Sequence, residues 1–119
     1  MAGVIQTGIR AFSRVVVNQG GSPTATVIAA AAAGLKHKVV GCVLSPAGGG
    51  ISAVRFTFGA VPGTDLMGEF RVPGGSHPGL VWTGGQQLAL VETPAGSQLN
   101  VVSTGSNGFA GVVIFITEP

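Results

Sequence analysis

Short runs of β-branched and apolar residues alternate with turn-forming residues along the chain. In residues 51–58, Val54 and Phe56 alternate with the polar residues Arg55 and Thr57. This period of two is typical of a strand with one buried face. Turn residues are abundant, with 21 glycines and 7 prolines among 119 residues. The spacing predicts an all-β protein, an antiparallel β-sandwich of jelly-roll-like type with about eight strands.

The pattern also predicts where the strands lie. Ala29–Ala33 has helical propensity but is too short to form a stable helix, so we favour a strand that enters a turn at Gly34, with a single helical turn as the alternative. Regular alternation in residues 36–44 would place Val40, Cys42 and Leu44 on one face. The predicted strands are Arg14–Val17, Thr24–Ile28, Lys36–Leu44, Ile51–Phe58, Leu66–Val72, Gln86–Glu92, Gln98–Thr104 and Phe109–Thr117, with Leu80–Trp82 as a short apolar stop.

The length of the chain fits a single domain. We predict that residues 24–119 form the β-sandwich and that residues 1–23 form an N-terminal arm or edge strands. Cys42 is the only cysteine, which excludes an internal disulfide and a multi-cysteine zinc site.

Charged residues are scarce, and this limits the kind of surface that the protein can have. They make up 8% of the chain, against about 25% in an ordinary domain. The mean hydropathy is +0.55, yet the longest apolar stretch, Val27 to Leu35, is far shorter than the roughly 20 residues of a membrane-spanning helix. A monomer with so few charges would expose adhesive surface. We therefore expect a subunit of a protein assembly, with no membrane partner.

The closing strand carries apolar residues on both faces. One face can fill the sandwich core, and a partner subunit could cover the other, although the chain's own loops are an equal alternative. Trp82 could contribute to such an interface or could close one end of the sandwich. The predicted interface residues are Phe109, Val113, Phe115, Val112, Ile114, Ile116 and Trp82.

The sequence contains few candidate catalytic or metal-binding residues. His37, His77 and Asp65 show no metal-ligand spacing, and no Gly-x-Ser-x-Gly motif is present. We predict no catalytic residues, no metal and no cofactor. The net charge of +2 comes with no basic patch beyond Lys36 and Lys38, so we expect no nucleic-acid partner. The first residues lack a secretory signal, which predicts synthesis in the cytoplasm.

From residue 35 onward, the order of features resembles small structural proteins of tailed bacteriophages. The order is a basic strand bounded by glycine, an Ala/Gly turn, a Val/Phe strand, a Thr-Asp-Leu segment, a Gly-rich loop, an apolar-aromatic stop, an acidic-Thr-x-Ala-Gly turn, a Leu-Asn strand and a closing apolar strand. The matching segments are 34–44, Ala47-Gly48, Val54–Phe56, Thr64–Leu66, Pro73–Gly75, Leu80–Trp82, Glu92–Gly96, Leu99-Asn100 and Val112–Ile116.

The resemblance implies a virion component with a β-sandwich fold. A capsid decoration (cement) protein is the first expectation: it would form a homo-oligomer, with a trimer favoured and a dimer possible, and bind the major capsid protein on the outer surface of the shell. The alternatives are a tail or fibre adaptor, and a carbohydrate-binding module that would use Trp82 as its stacking ring.

Overall fold

The computed structural model describes residues 11–19, 24–46, 51–72, 79–83, 88–104 and 108–119. Within these residues the protein is all-β, with two antiparallel sheets packed together, so the predicted β-sandwich is confirmed. The described strands number ten rather than about eight. They are β1 (Ser13–Asn18), β2 (Thr24–Ile28), β3 (Lys36–Pro46), β4 (Ser52–Phe58), β5 (Thr64–Asp65), β6 (Phe70–Val72), β7 (Leu80–Trp82), β8 (Val91–Glu92), β9 (Leu99–Ser103) and β10 (Phe109–Glu118).

The ten strands divide into two sheets of five. The first sheet has the order β1-β10-β3-β7, and β8 pairs with another part of β3. The second sheet has the order β2-β9-β4-β5, and β6 pairs with another part of β4. The chain therefore crosses from the first sheet to the second between β1 and β2, and it returns to the first sheet with β3.

The core lies between the inner faces of the two sheets. Phe56, Leu99 and Val101 reach it from the second sheet, and Leu44 and Phe109 from the first; all five are fully buried. Phe56 belongs to a run in which apolar and polar residues alternate, so the period of two in the sequence does place this core side chain.

A buried glutamine ties the two sheets together at one side. Gln19 directly follows β1, and its Nε2 donates hydrogen bonds to Thr26 Oγ1 at 2.9 Å and to the Val101 carbonyl oxygen at 2.7 Å. The Ser103 hydroxyl donates to Gln19 Oε1. These bonds place the ends of β1 and β2 at the same side of the sandwich, which we call the β1 flank.

A bulge in β3 changes which of its residues reach the core. Ile114 pairs with Gly41, but the next residue, Phe115, pairs with Val39, so Val40 has no partner in β10. Val39 therefore joins Cys42 in the core cluster. The prediction that Val40 shares a face with Cys42 and Leu44 is wrong for this reason, since an extra residue reverses the alternation.

The predicted strand Leu66–Val72 is also different in the structure. β5 and β6 pair with opposite ends of β4, and a bend separates them. Leu66 and Met67 both pack against the core cluster. Consecutive residues of an extended strand point to opposite faces, so burying both of these side chains requires the bend.

Several other predictions fall in the remaining connections. The chain turns at Ala33–Gly34 after the alanine run, and Gly34 has a positive φ of 81°, so the predicted turn is confirmed. The favoured strand through Ala29–Ala33 is wrong, because β2 ends at Ile28 and the alanine run forms neither a strand nor a helix. Of the predicted strand Gln86–Glu92, only β8 forms among the described residues. Within the predicted N-terminal segment, β1 forms an edge of the first sheet. Residues 1–10 and 20–23 lie outside the described residues, and the boundary at residue 24 stays a prediction.

Candidate functional site: an apolar outer face

Four valines form a row across the outer face of the first sheet. The strand registers pair Val16 with Val112, Val112 with Val43, and Val43 with Val81. Paired residues in an antiparallel sheet point to the same side, so these side chains lie next to one another. Val16, Val43 and Val81 are 72%, 49% and 59% exposed. We call this set the valine row; it crosses β1, β10, β3 and β7 in turn.

An open groove of about 530 Å³ lies beside the valine row. Gly41 forms part of its floor, opposite Ile114 in the register. A Cβ at Gly41 would lie 3.7 Å from Ile114 and 3.5 Å from the Trp82 carbonyl oxygen, in ordinary contact, so the missing side chain leaves space there. The groove is lined by Phe12, Val40, Gly41, Cys42, Val43, Trp82, Thr83, Val112 and Ile114. Among the described residues of this lining, Thr83 alone bears a hydroxyl, so the described part of the groove mainly offers apolar atoms.

The predicted interface residues of the closing strand separate onto two faces. Phe109 and Val113 are fully buried in the core between the sheets. Phe115 packs against the same core, and its ring meets His37 edge to face, with the ring centroids 5.5 Å apart. Within a single chain these three residues are therefore core residues, which matches the expectation that one face of the strand fills the sandwich.

The alternate residues of β10 point away from the core. Val112 and Ile114 line the groove and are half-buried. Ile116, opposite Lys38 in the register, is 2% exposed and lies outside the core cluster. Of the predicted residues on this face, only Val112 and Ile114 offer surface to a partner.

Trp82 combines features of the two roles considered for it. Its side chain is half-buried and packs against the core, as an end plug would. The residue also lines the groove, where its carbonyl oxygen lies near Gly41. Its indole N–H donates a 3.3 Å hydrogen bond to the Leu88 carbonyl oxygen. Trp82 therefore packs against the core and also borders the groove.

Four residues of this surface were missed by sequence reasoning. Phe12, Val16, Val43 and Val81 are all exposed, and each lies in or beside a run that was predicted as a strand or an apolar stop. No single run reveals the row, because the row exists only across four strands. Alternation did identify candidate outward positions, but the bulge in β3 reverses the assignment within one of these runs.

Paired charged residues lie at one end of the same outer face. Lys36 approaches Glu92 at 3.5 Å, and Lys38 approaches Glu118 at 3.0 Å. Lys38 also donates to the carbonyl oxygen of Pro119. The apolar surface is therefore bounded at this end by paired charges, which is the arrangement of a hydrophobic patch with a polar rim.

In the described part of the chain, the reactive side chains are held by burial, by hydrogen bonds or by an ion pair. Burial raises the pKa of the Cys42 thiol, with a smaller opposing effect from a backbone hydrogen bond of Trp82, so the nucleophilic thiolate is disfavoured. His37 is buried; its Nε2 donates to the Ala29 carbonyl oxygen at 2.7 Å, and its Nδ1 lies 2.9 Å from Thr117 Oγ1. Asp65 pairs with Arg55 at 3.0 Å. His77 lies outside the described residues.

The described ranges contain neither a cluster of metal ligands nor a membrane-spanning helix. No three His, Cys, Asp or Glu side chains there come together as a possible metal site. The same residues contain no helix long and apolar enough to cross a membrane.

Comparison with known proteins gives no relative. No protein-family model, no curated protein and no solved structure matches the chain.

Proposed function

We propose that this protein is a non-enzymatic structural subunit of a bacteriophage virion, and that it decorates the outer surface of the capsid. The observation that carries the proposal is the exposed valine row with its adjoining apolar groove. Contiguous apolar surface on a protein with few charges favours contact with other proteins. The assignment to a virion is supported in addition by the order of sequence features, which resembles that of structural proteins of tailed bacteriophages.

The mechanism would be the burial of apolar surface against the shell. Each Å² removed from water contributes roughly 25 cal/mol. Association costs about 4 to 15 kcal/mol of translational and rotational freedom, so a single small patch binds weakly. A decoration protein gains strength by contacting several neighbouring capsid subunits at once, which holds those subunits together.

The partners in this proposal are the major capsid protein and further copies of the same chain. The resemblance suggests a trimer, with a dimer as the alternative. The protein would be made in the host cytoplasm and would then occupy the capsid surface, with no nucleic-acid or membrane partner.

A tail or fibre adaptor is the nearest alternative, because it could use the same apolar face. A carbohydrate-binding module has less support from the groove. Sugar recognition needs polar groups that meet the hydroxyls, and within the described part of the lining only Thr83 bears a hydroxyl. Binding of the protein to a glycan array, together with loss of this binding after Trp82→Ala, would favour this module over decoration.

The test is co-sedimentation of the purified protein with shells assembled from the proposed partner, a major capsid protein, without the decorating chain. Val43→Lys puts a charge in the middle of the valine row, where covering it would leave the ammonium unpaired. Val61→Lys is the matched control, since both valines are 49% exposed and Val61 lies in the turn over the second sheet. We expect Val43→Lys to weaken binding tenfold or more, and Val61→Lys to bind like the unmodified protein.

A thermal unfolding measurement on each variant is the control that establishes whether the variant is folded. The proposal fails if the unmodified protein does not bind shells, or if the two variants bind equally well. Binding to tail tubes instead of shells would favour the adaptor.

A further inference from the structure

We infer that two copies of this protein pair edge to edge through β1, as an antiparallel continuation of the first sheet. This deepens the assembly part of the proposed function and rests on it only in requiring that copies associate. The inference comes from the two flanks of the sandwich, from the charges on the strands at those flanks, and from the register of the valine row.

The two flanks of the sandwich have very different edges. On the β1 flank the edge strands are β1 and β2, with six and five residues. On the opposite flank the edges are β5, β6, β7 and β8, each with two or three residues. Short edge strands are a common protection against unwanted pairing. The β1 flank lacks this protection, and among the described strands only β10 pairs with β1.

The long edge strands also lack the charges that usually block pairing. Across β1 (SRVVVN) and β2 (TATVI), Arg14 is the only charged residue, and neither strand contains proline. The four described ion pairs involve β3, β4, β5, β6, β8 and β10. An edge strand with these properties is suited to adding another strand.

The sheet restricts the possible registers of a β1–β1 pair. Arg14 and Val16 lie on the outer face, because they pair with Ile114 and Val112. A two-fold axis perpendicular to the sheet keeps this face continuous only if outward residues meet outward residues. Val16 can then lie opposite Val16 of the second copy. In that register the two valine rows join into one row of eight valines.

Charge favours the same register. With Val16 on the axis, Arg14 faces Asn18 of the second copy, whose amide oxygen can accept a hydrogen bond. The two Arg14 positions are then offset by four residues along the strand, about 13 Å, which exceeds the screening length of about 8 Å at physiological salt. A register centred on Arg14 would oppose two like charges. A register centred on Val15 would place Arg14 against Val16 and interrupt the valine row.

The size of the contact indicates how strong the dimer is. A stable interface uses about 20 to 30 residues on each side. β1 supplies six, and β2 on the same flank supplies five more. We therefore expect a reversible, concentration-dependent dimer, which a shared shell would strengthen by holding both copies in place. Antiparallel pairing of identical strands gives a two-fold contact and thus supports the dimeric alternative.

Cysteine cross-linking tests this contact directly. Opposed residues in an antiparallel pair have Cα atoms about 4.5 to 5.5 Å apart, within the range of a disulfide. We expect Val16→Cys to form a covalent dimer under mild oxidation. Val81→Cys is the matched control, because Val81 is exposed in the same valine row but lies on the opposite flank. It should stay monomeric on a non-reducing gel. Native Cys42 is buried and should not contribute.

Sedimentation supplies the second measurement and needs no capsid. The unmodified protein should show a mass that rises with concentration towards a dimer. Val16→Lys should remain a monomer, because two ammonium groups would meet on the axis, and Val81→Lys should behave like the unmodified protein. Val16 is 72% exposed in the single chain, so thermal unfolding should change little.

The inference is overturned if both cysteine variants cross-link equally, if Val16→Cys does not cross-link, or if Val16→Lys leaves the mass unchanged. A protein that dimerises in this way and yet does not bind shells would contradict the capsid proposal alone.

Discussion

The two outer faces of this sandwich have opposite characters. The outer face of the first sheet carries the valine row and the apolar groove. The outer face of the second sheet carries ion pairs between Arg55 and Asp65 and between Arg71 and Glu69. Both faces belong to strands with the same period of two, so alternation alone does not distinguish a covered face from an open one.

The polar face is closed by the chain itself. Residues 59–63 turn over one part of it, and the Nδ2 of the fully buried Asn100 donates to the Gly59 carbonyl oxygen at 2.8 Å and to Thr57 Oγ1 at 3.0 Å. Thr57 donates in turn to the Pro62 carbonyl oxygen. The second sheet thus uses its outer face for stability, and the first sheet leaves its outer face available. We expect substitutions on the two faces to have different consequences.

The largest effect is expected where the turn approaches the second sheet. Gly63 has a φ of 84°, and a Cβ there would lie 2.6 Å from the Phe58 carbonyl oxygen and 2.7 Å from Thr57 Oγ1. Gly63→Ala combines a strained backbone with this overlap, so we expect a loss of about 3 to 5 kcal/mol in the free energy of unfolding. Urea denaturation measures it.

Gly34→Ala is the control for backbone strain alone. Gly34 has a φ of 81° with nothing within 4 Å of an added Cβ. It should cost only about 1 to 2 kcal/mol, the strain of a left-handed residue. Equal losses in the free energy of unfolding at the two glycines would show that the close contacts of an added Cβ with Phe58 and Thr57 cost nothing beyond the backbone strain.

A smaller effect is expected from the buried amide. Asn100→Ala removes the donor to Thr57 and Gly59, and it also removes the acceptor for Gln98 Nε2. Loss of buried partners costs about 1 to 3 kcal/mol. Asn18→Ala, at an exposed position on the outer face of the first sheet, should change the free energy of unfolding by less than about 0.5 kcal/mol. A larger loss at Asn18 would contradict the distinction between the two faces.

The smallest effect concerns pH. The Thr104 hydroxyl donates to Glu69 and lowers the pKa of this carboxyl; burial opposes this shift, and Arg71 and Arg55 add smaller lowering effects. A lowered pKa in the folded state stabilises the protein above the unfolded value of about 4.3, and this contribution is lost as the pH falls through the folded value. Because Glu69 is exposed, we expect less than about 1 kcal/mol.

Thr104→Val removes the donor and should flatten this acid dependence. Urea denaturation between about pH 3 and pH 6 compares the two proteins. Identical pH profiles would mean that the hydroxyl does not stabilise the ionised carboxyl.

Much of the fold was predictable because the core depends on local alternation. Phe56 lies in a regular run and reaches the core as its alternation predicts. Phe109, which was predicted as an interface residue, is also fully buried in the core of the single chain. The bulge at Val40 was not predictable, because it depends on how β3 pairs with β10. The bend at Leu66 and Met67 was missed for a similar reason, since it serves packing between the two sheets rather than any local preference.

The candidate site was predicted only in part. The sequence indicated that β10 has a second apolar face, and Val112 and Ile114 do line the groove. It could not bring Val16, Val43 and Val81 together, because the strand order that aligns them is set by pairings between distant parts of the chain. The virion role and the oligomeric state stay proposals.

The position of β10 has a consequence for how the protein is made. This strand is the last one described in the chain, yet it lies inside the first sheet, between β1 and β3. Until the ribosome has released it, neither neighbour has its main partner, and β1 has none among the described strands. Sheets assembled from such distant segments form slowly. The first sheet is therefore completed after translation of this region, and until then the newly made chain carries unpaired apolar strands, which favour aggregation.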